Sequence, residues 1–239
     1  MTSVLKEQTV VVIGGSSGFG LATVEMLDAL GARVIVGSRN ENRLAAAKAA
    51  FPALVTRQVD ITDRASTERF FADVEMLDHL VVTAAELPSG RLAETNLDKL
   101  RPAIESRLFG SLHAVQRAVP VMRTGGSVVL FSGQAARKGF PGESMGAASC
   151  GAIESLVRTL AVELAPIRFN ALCPGSAWTP VFRAFFGDHA EEAAEKFGAS
   201  LPLKRLARTS EIAHAVVFLL ENTYVTGSTL VVDGGFGVT

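Results

Sequence analysis

Two cysteines, four histidines, one tryptophan and one tyrosine are all that the 239 residues hold of those types. Cys150 and Cys173 form no CxxC pair, and His79, His113, His189 and His214 are scattered, which argues against a disulfide framework and against any metal site. An excess of one charge is also missing. The 23 basic and 24 acidic residues leave a net charge of −1, so neither a nucleic acid nor an acidic membrane surface is forecast as a partner. No apolar run approaches the roughly 18 residues of a membrane span. Met1-Thr2-Ser3-Val4-Leu5-Lys6-Glu7 lacks a basic stretch followed by an apolar one, so no secretory signal is expected and the chain reads as cytoplasmic. With 48% hydrophobic and 20% charged residues it can bury a full core, which excludes a disordered chain.

What the sequence does have is a rhythm of short β-branched runs and longer helical patterns. Thr9-Val10-Val11-Val12-Ile13 is continuously apolar, as in a strand covered on both faces. Residues 18–30 repeat apolar side chains at helical spacing and stop at Gly31, a C-terminal cap. The alternation continues with strands at 33–37, 54–59, 79–83, 127–131, 168–172 and 229–232. Helices are expected at 41–50, 67–73, 97–122 and 144–165, and a last one closes on Phe218-Leu219-Leu220. This pattern predicts an α/β chain, one domain over 1–239, with a seven-stranded parallel, doubly wound sheet flanked by helices. Residues 178–206 break the rhythm after a late strand, where an insertion lies over the carboxyl ends of the strands. They read as a substrate lid, with Trp178, Phe182, Phe185 and Phe186 as candidate contacts to an apolar small molecule.

Gly14-Gly15-Ser16-Ser17-Gly18-Phe19-Gly20 joins the first strand to its helix. Such glycines allow a tight turn and a close approach to a pyrophosphate, which then meets the free N–H groups of the helix. Gly14, Ser16, Ser17, Gly18, Phe19 and Gly20 are therefore candidate cofactor-binding residues. About 20 residues later an acidic side chain would select NAD by its ribose hydroxyl. The chain instead reads Gly37-Ser38-Arg39-Asn40. Arg39 can pair with a 2′-phosphate and Ser38 can add a hydrogen bond, so NADP(H) is predicted over NAD(H).

These residues, with several others, resemble the short-chain dehydrogenase/reductase family. Ile13-Gly14 through Gly18 and Gly20 fit its Thr-Gly-x-x-x-Gly-x-Gly with only the Thr changed. Val59-Asp60-Ile61-Thr62-Asp63 is similar to the family's adenine-contacting segment, which implies roles for Asp60 and Ile61. Asp78 to Ala85 stands where the family reads Asp-x-Leu-Val-Asn-Asn-Ala-Gly, bringing in Ala84. Asn170-Ala171-Leu172-Cys173-Pro174-Gly175 matches Asn-Ala-x-x-Pro-Gly, and Thr179 falls where a family Thr holds the nicotinamide amide. Thr226-Gly227 and Val232-Asp233-Gly234-Gly235 match the last strand region. The resemblance implies a Rossmann fold, a nicotinamide cofactor and a homo-oligomer, tetramer or dimer.

The catalytic positions depart from the family. Its reductases hold a substrate carbonyl with Ser, protonate it with Tyr, lower the Tyr pKa with Lys and hold a relay water with Asn. The Tyr-Ala-Ala-Ser-Lys run falls on Gly146-Ala147-Ala148-Ser149-Cys150, so Gly146 stands for Tyr and Cys150 for Lys. The Ser position is Gly133, and the Asn position is Arg107 in Arg107-Leu108-Phe109-Gly110. Tyr224, the one tyrosine, lies near the last strand. Arg107 is a candidate catalytic cation that could hold a carboxylate or a developing enolate, or an ordinary helix Arg. Ser132 is a candidate carbonyl donor, or a turn Ser satisfying the backbone. Cys150 reads as a packed thiol. Glu143 and Ser144 read as an N-terminal cap, with a proton source as the alternative. Two functions follow: an NADP(H)-dependent oxidoreductase with an atypical site, reducing an imine or a conjugated C=C, or a non-catalytic NADP(H)-binding scaffold.

Overall fold

Alternate residues of β1 (Thr9–Ile13) leave the sheet on opposite faces, and both faces are covered. Val10 and Val12 enter one core with Val24 and Leu27 of α1 (Gly18–Ala29) and Ile212, Val216 and Leu219 of α10 (Thr209–Glu221). Val11 and Ile13 enter the other, with Phe70 of α3 (Arg64–Phe71), Val115 of α6 (Gly110–Ala118) and Ile153 and Val157 of α7 (Ser144–Glu163). A strand buried on both sides has no polar face to show, which is why these runs read as uninterrupted apolar sequence. The structure, a computed structural model, describes residues 3–238.

The other strands are β2 (Arg33–Ser38), β3 (Val55–Gln58), β4 (Leu77–Val82), β5 (Met122–Phe131), β6 (Arg168–Pro174) and β7 (Thr229–Val232). All pairs are parallel, in the order β3-β2-β1-β4-β5-β6-β7. The order reverses between β1 and β4, which opens a crevice at their carboxyl ends. α2 (Glu41–Ala50) follows β2, its first turn capped by Asn40, whose side chain accepts from the Arg43 N–H at 2.9 Å.

The single helix expected over 97–122 is a correction. The stretch divides into α4 (Leu97–Leu100), α5 (Pro102–Ile104), a π-helical turn (Glu105–Phe109), α6 and a 3₁₀ turn (Val119–Val121). Pro102 and Pro120 have no N–H for a continuing helix and sit at the first or second position of a new segment. Met122 belongs to β5, opposite Leu77, and the register then jumps to His79 against Ser127. Gly125, at φ +82, takes up the excess chain.

The segment after β6 forms α8 (Pro180–Phe186), a 3₁₀ turn and α9 (Ala190–Ser200). It is tied to the strand ends by the bridge between Ala177 and Ala207 and by ring contact of Phe197 with Phe236 at 5.2 Å. Among the described residues no helix is long and apolar enough to cross a membrane.

Candidate active site

The turn after β1 sits against the end of β4. Gly14 has φ +89, and a Cβ there would strike the Thr83 hydroxyl and stand 2.7 Å from the Ala84 nitrogen. A Cβ on Gly20 would run into the Gly14 carbonyl group. Both glycines are thus required by the packing of the turn itself, which aims the N-terminus of α1 into the crevice. No side chain caps that terminus: Ser17, at the N-cap, makes no such bond. Uncapped N–H groups at a helix start fit a pyrophosphate. Thr179 faces the turn across the crevice, its Cβ and Cγ2 both 3.7 Å from a Cβ built at Gly18. Its hydroxyl accepts from Phe182 N–H at 3.2 Å and caps α8.

At the end of β2, Ser16 donates to Ser38 at 2.7 Å. Arg39 is about half exposed and forms an ion pair with Glu86, which follows β4. An exposed pair of this kind contributes about 1 kcal/mol or less and yields readily to a competing anion. The adenine side is more committed. The Asp60 carboxylate closes a turn on Thr62, and Ile61 is buried, its side chain 2.9 Å from a Cβ built at Gly110. Gly175 is also held by packing: its N–H donates to Val232 at 2.7 Å, and a Cβ would come 2.7 Å from Asp233 Cα. Pro174 and Ala84 are half-buried at the ends of β6 and β4. Phe19 packs on Phe131, with ring centroids 6.1 Å apart.

The positions matched to the family's catalytic residues converge. Arg107 is carried on the π-helical turn, 7% exposed, with Nη1 donating to Cys150 Sγ and Nε buried without a partner. A Cβ built on Gly133 would lie 3.2 Å from Cys150 Sγ and 3.8 Å from Arg107 Nη1. A Cβ on Gly146 would lie 2.6 Å from Glu143 Oε2. The Glu143 carboxyl thus occupies the space into which a side chain at 146 would grow. Burial raises the Glu143 carboxyl above its ordinary range, while the nearby Ser89 hydroxyl and the charge of Arg107 act the other way. Burial likewise pushes the Cys150 thiol up, against the pull of Arg107, so it stays protonated and inert.

Ser132 is not brought into this group. Its hydroxyl donates to Glu154 Oε1 at 2.8 Å and accepts from Gly133 N–H at 2.6 Å, so its one proton is committed to α7. The turn reading of this residue is the one the geometry supports, and Ser132 is withdrawn as a carbonyl donor. The cap reading of Glu143 is corrected as well: Glu143 stands at the N-cap of α7, but its side chain accepts no cap hydrogen bond. A carboxylate three residues before a vacated glycine on one helix turn was the available signal, since such positions share a face.

Beside Glu143 opens a cavity of about 430 Å³, walled by Arg91, Leu92 and Glu94 on one side and Phe140, Ser144 and Ala147 on the other. The loop before α7 is clipped to this wall by Gly90 N–H donating to Gly142 at 2.9 Å. Over the crevice, Trp178 and Phe182 stand 5.9 Å apart and Phe182 and Phe186 4.7 Å, with Phe185 against Phe186 and half-exposed. Tyr224 is 99% exposed. No group of three His, Cys, Asp or Glu among the described residues is placed to hold a metal.

A glycine turn at the switch point of a parallel seven-stranded sheet, aimed at an uncapped helix start, defines an α/β protein of the dinucleotide-binding class. The family model described as Enoyl-(Acyl carrier protein) reductase matches residues 14–237. Human 3-oxoacyl-(acyl-carrier-protein) reductase is 34% identical over 241 residues, covering 96% of this chain and 98% of that protein. A solved short chain dehydrogenase/reductase family protein superposes with a TM-score of 0.90 at 34% identity, each chain covered in full. A short chain oxidoreductase of Pseudomonas aeruginosa PAO1, solved with NADPH and described as containing an atypical catalytic center, gives 0.91 at 30% identity over 98% of each chain. The chain belongs to the short-chain dehydrogenase/reductase family, whose members among its relatives are oxidoreductases.

Proposed function

We propose that the chain is an NADP(H)-dependent oxidoreductase with a centre rebuilt around Arg107, acting on a small, apolar molecule that carries an imine or a conjugated C=C bond. The end of β2 carries the cofactor reading. Ser38 and Arg39 stand where selection of NAD requires a carboxylate. Arg39 is held only by an exposed ion pair, and its planar fork suits a phosphate. The NADPH bound to the Pseudomonas relative supports the same choice. The bound, reduced cofactor supplies a hydride. The residues of this chain do the rest: the α1 N-terminus holds the pyrophosphate, Thr179 meets the nicotinamide end, and Arg107 places a fixed cation beside the reacting atoms.

The segment 178–206 acts as the lid, with Trp178, Phe182, Phe185 and Phe186 turned to an apolar substrate. Exposed Phe109 and Val162, on or beside the helices that pair in family oligomers, support a homo-oligomer, a tetramer or dimer. The test uses Trp178, the only tryptophan. Titration with NADPH should quench its emission at concentrations far below those needed with NADH, and calorimetry should give the same order. Arg39→Ala should weaken NADPH by about tenfold or more and leave NADH unchanged. An unchanged ratio of the two affinities refutes the assignment.

A second reading, a non-catalytic NADP(H)-binding scaffold, is favoured by the glycines at 133 and 146 and the inert thiol of Cys150. Deuteride transfer from labelled NADPH to any imine, enone or quinone in single-turnover mixing would eliminate it.

A further inference from the structure

We infer that Glu143 is the proton donor of this site, taking the place left open by Gly146. The inference rests on the reductase reading above and adds to it the group that completes the reaction. Three observations on geometry carry it. Glu143 Oε2 lies 2.6 Å from a Cβ built at Gly146, so its carboxyl fills the start of the space that the family's acid side chain occupies. Glu143 Oε1 is buried and has no hydrogen-bond partner, so no donor at that oxygen favours the carboxylate over the neutral acid. Glu143 also lines the cavity of about 430 Å³, which gives a ligand a place beside this residue.

The surroundings suit an acid. The charge of Arg107 acts on Glu143 from the π-helical turn, Ser89 lies near it in the loop after β4 with its hydroxyl 3.5 Å from the Gly142 carbonyl, and Arg91 and Glu94 line the same cavity. Cys150, on the same helix as Gly146, carries no charge to oppose it. Desolvation keeps the carboxyl protonated to higher pH than usual, and the Arg107 charge stabilises the carboxylate left after transfer. The step balances. A hydride from the reduced nicotinamide dinucleotide forms a C–H bond at one end of the substrate double bond, and the pair of π electrons moves to the other end. The Glu143 O–H bond breaks as its proton joins that atom, or a conjugated oxygen, and the carboxylate regains a proton from solvent through the open cavity. A neutral imine or an enone needs this proton. Arg107 acts as a positioning residue for the carboxyl.

The test combines infrared titration of the protein with kinetics. The wild type should show a protonated-carboxyl band that is absent from Glu143→Gln, persists above the usual carboxylate range, and moves to still higher pH in Arg107→Gln. With NADPH and cyclohexenone or a methylpyrroline as probes, Glu143→Gln should lose about 100-fold or more in turnover, together with the fall in rate at high pH that marks deprotonation of the donor. Its NADPH affinity by calorimetry should be unchanged. The inference is overturned by a carboxyl at 143 that is fully ionised throughout the neutral range, whether or not a probe is reduced. Turnover of Glu143→Gln within about twofold of wild type overturns it equally. Failure of the wild type to bind NADPH strikes the reductase reading instead, and the infrared band separates the two cases.

Discussion

Replacing His79 by Gln should flatten the acid side of this protein's stability curve. His79 lies in β4, 4% exposed, with Nε2 2.8 Å from Gln8 Oε1 and Nδ1 buried without a partner. With Nε2–H donated to Gln8, a second proton must go to Nδ1, which is buried away from water. Burial therefore lowers the His79 pKa from 6.5 to about 4, with Asp78 and the Ser127 backbone opposing and Arg168 assisting. The unfolded chain takes up this proton below 6.5, but the folded chain does so only below about 4. The contribution is complete above 6.5 and is lost as pH falls between those values. At about 1.4 kcal/mol per pH unit, the gap amounts to about 3 kcal/mol. Urea unfolding of wild type and His79→Gln, from pH about 7 down to about 4.5, isolates the term, because other carboxylates titrate alike in both. The wild type should lose about 2 to 3 kcal/mol more than the variant across this window. Parallel curves for the two proteins would refute the burial argument.

Two other substitutions probe the site and its scaffold. Gly20→Ala should abolish NADPH binding and lower the melting temperature, since its Cβ meets the Gly14 carbonyl group, with the carbon 2.7 Å away; calorimetry and thermal unfolding read both. Cys150→Lys alone should destabilise the fold by about 3 to 5 kcal/mol, whereas Cys150→Lys with Arg107→Asn should recover most of that loss in chemical unfolding. Equal instability of the single and double variants would count against coupling of the two positions.

The strands were legible because burial on both faces leaves an unmistakable pattern, and the glycine turn was legible because its spacing serves a backbone need. Helix 97–122 misled for a physical reason. Its apolar stripe, Leu100, Ile104, Leu108, Leu112 and Val115, keeps the helical period even though the hydrogen bonds slip to π pairing at Glu105–Phe109. Periodicity reports which face is apolar, not which carbonyl each N–H finds. Helix α3 begins at Arg64, three residues before the expected Thr67, because Asp63 caps it with a side chain that accepts from Ala65 N–H at 2.8 Å. Glu143 was harder to read. A carboxylate just before a helix has the local signature of a cap, which masks its three-residue spacing from Gly146 until the fold turns the side chain toward that gap.

On the function proposed, Arg107, Gly133, Gly146 and Cys150 make sense as one rearranged site. The family pattern places a cation at the position of Cys150 and a neutral amide at that of Arg107. Here the cation stands at 107 and the neutral side chain at 150, with Arg107 Nη1 on Cys150 Sγ. The buried volume between them holds one positive charge either way, since two unpaired cations in contact there would each lack a counter-charge. Moving the charge frees the other two positions. Gly133 leaves room for the Arg107 head, which lies 3.8 Å from the Cβ that a Ser would carry. Gly146 leaves room for Glu143, a carboxyl that can give up a proton beside the relocated cation. Arg107→Asn on its own should therefore leave Cys150 and Glu143 without a cation, and the variant carrying lysine at 150 should restore one from the opposite helix.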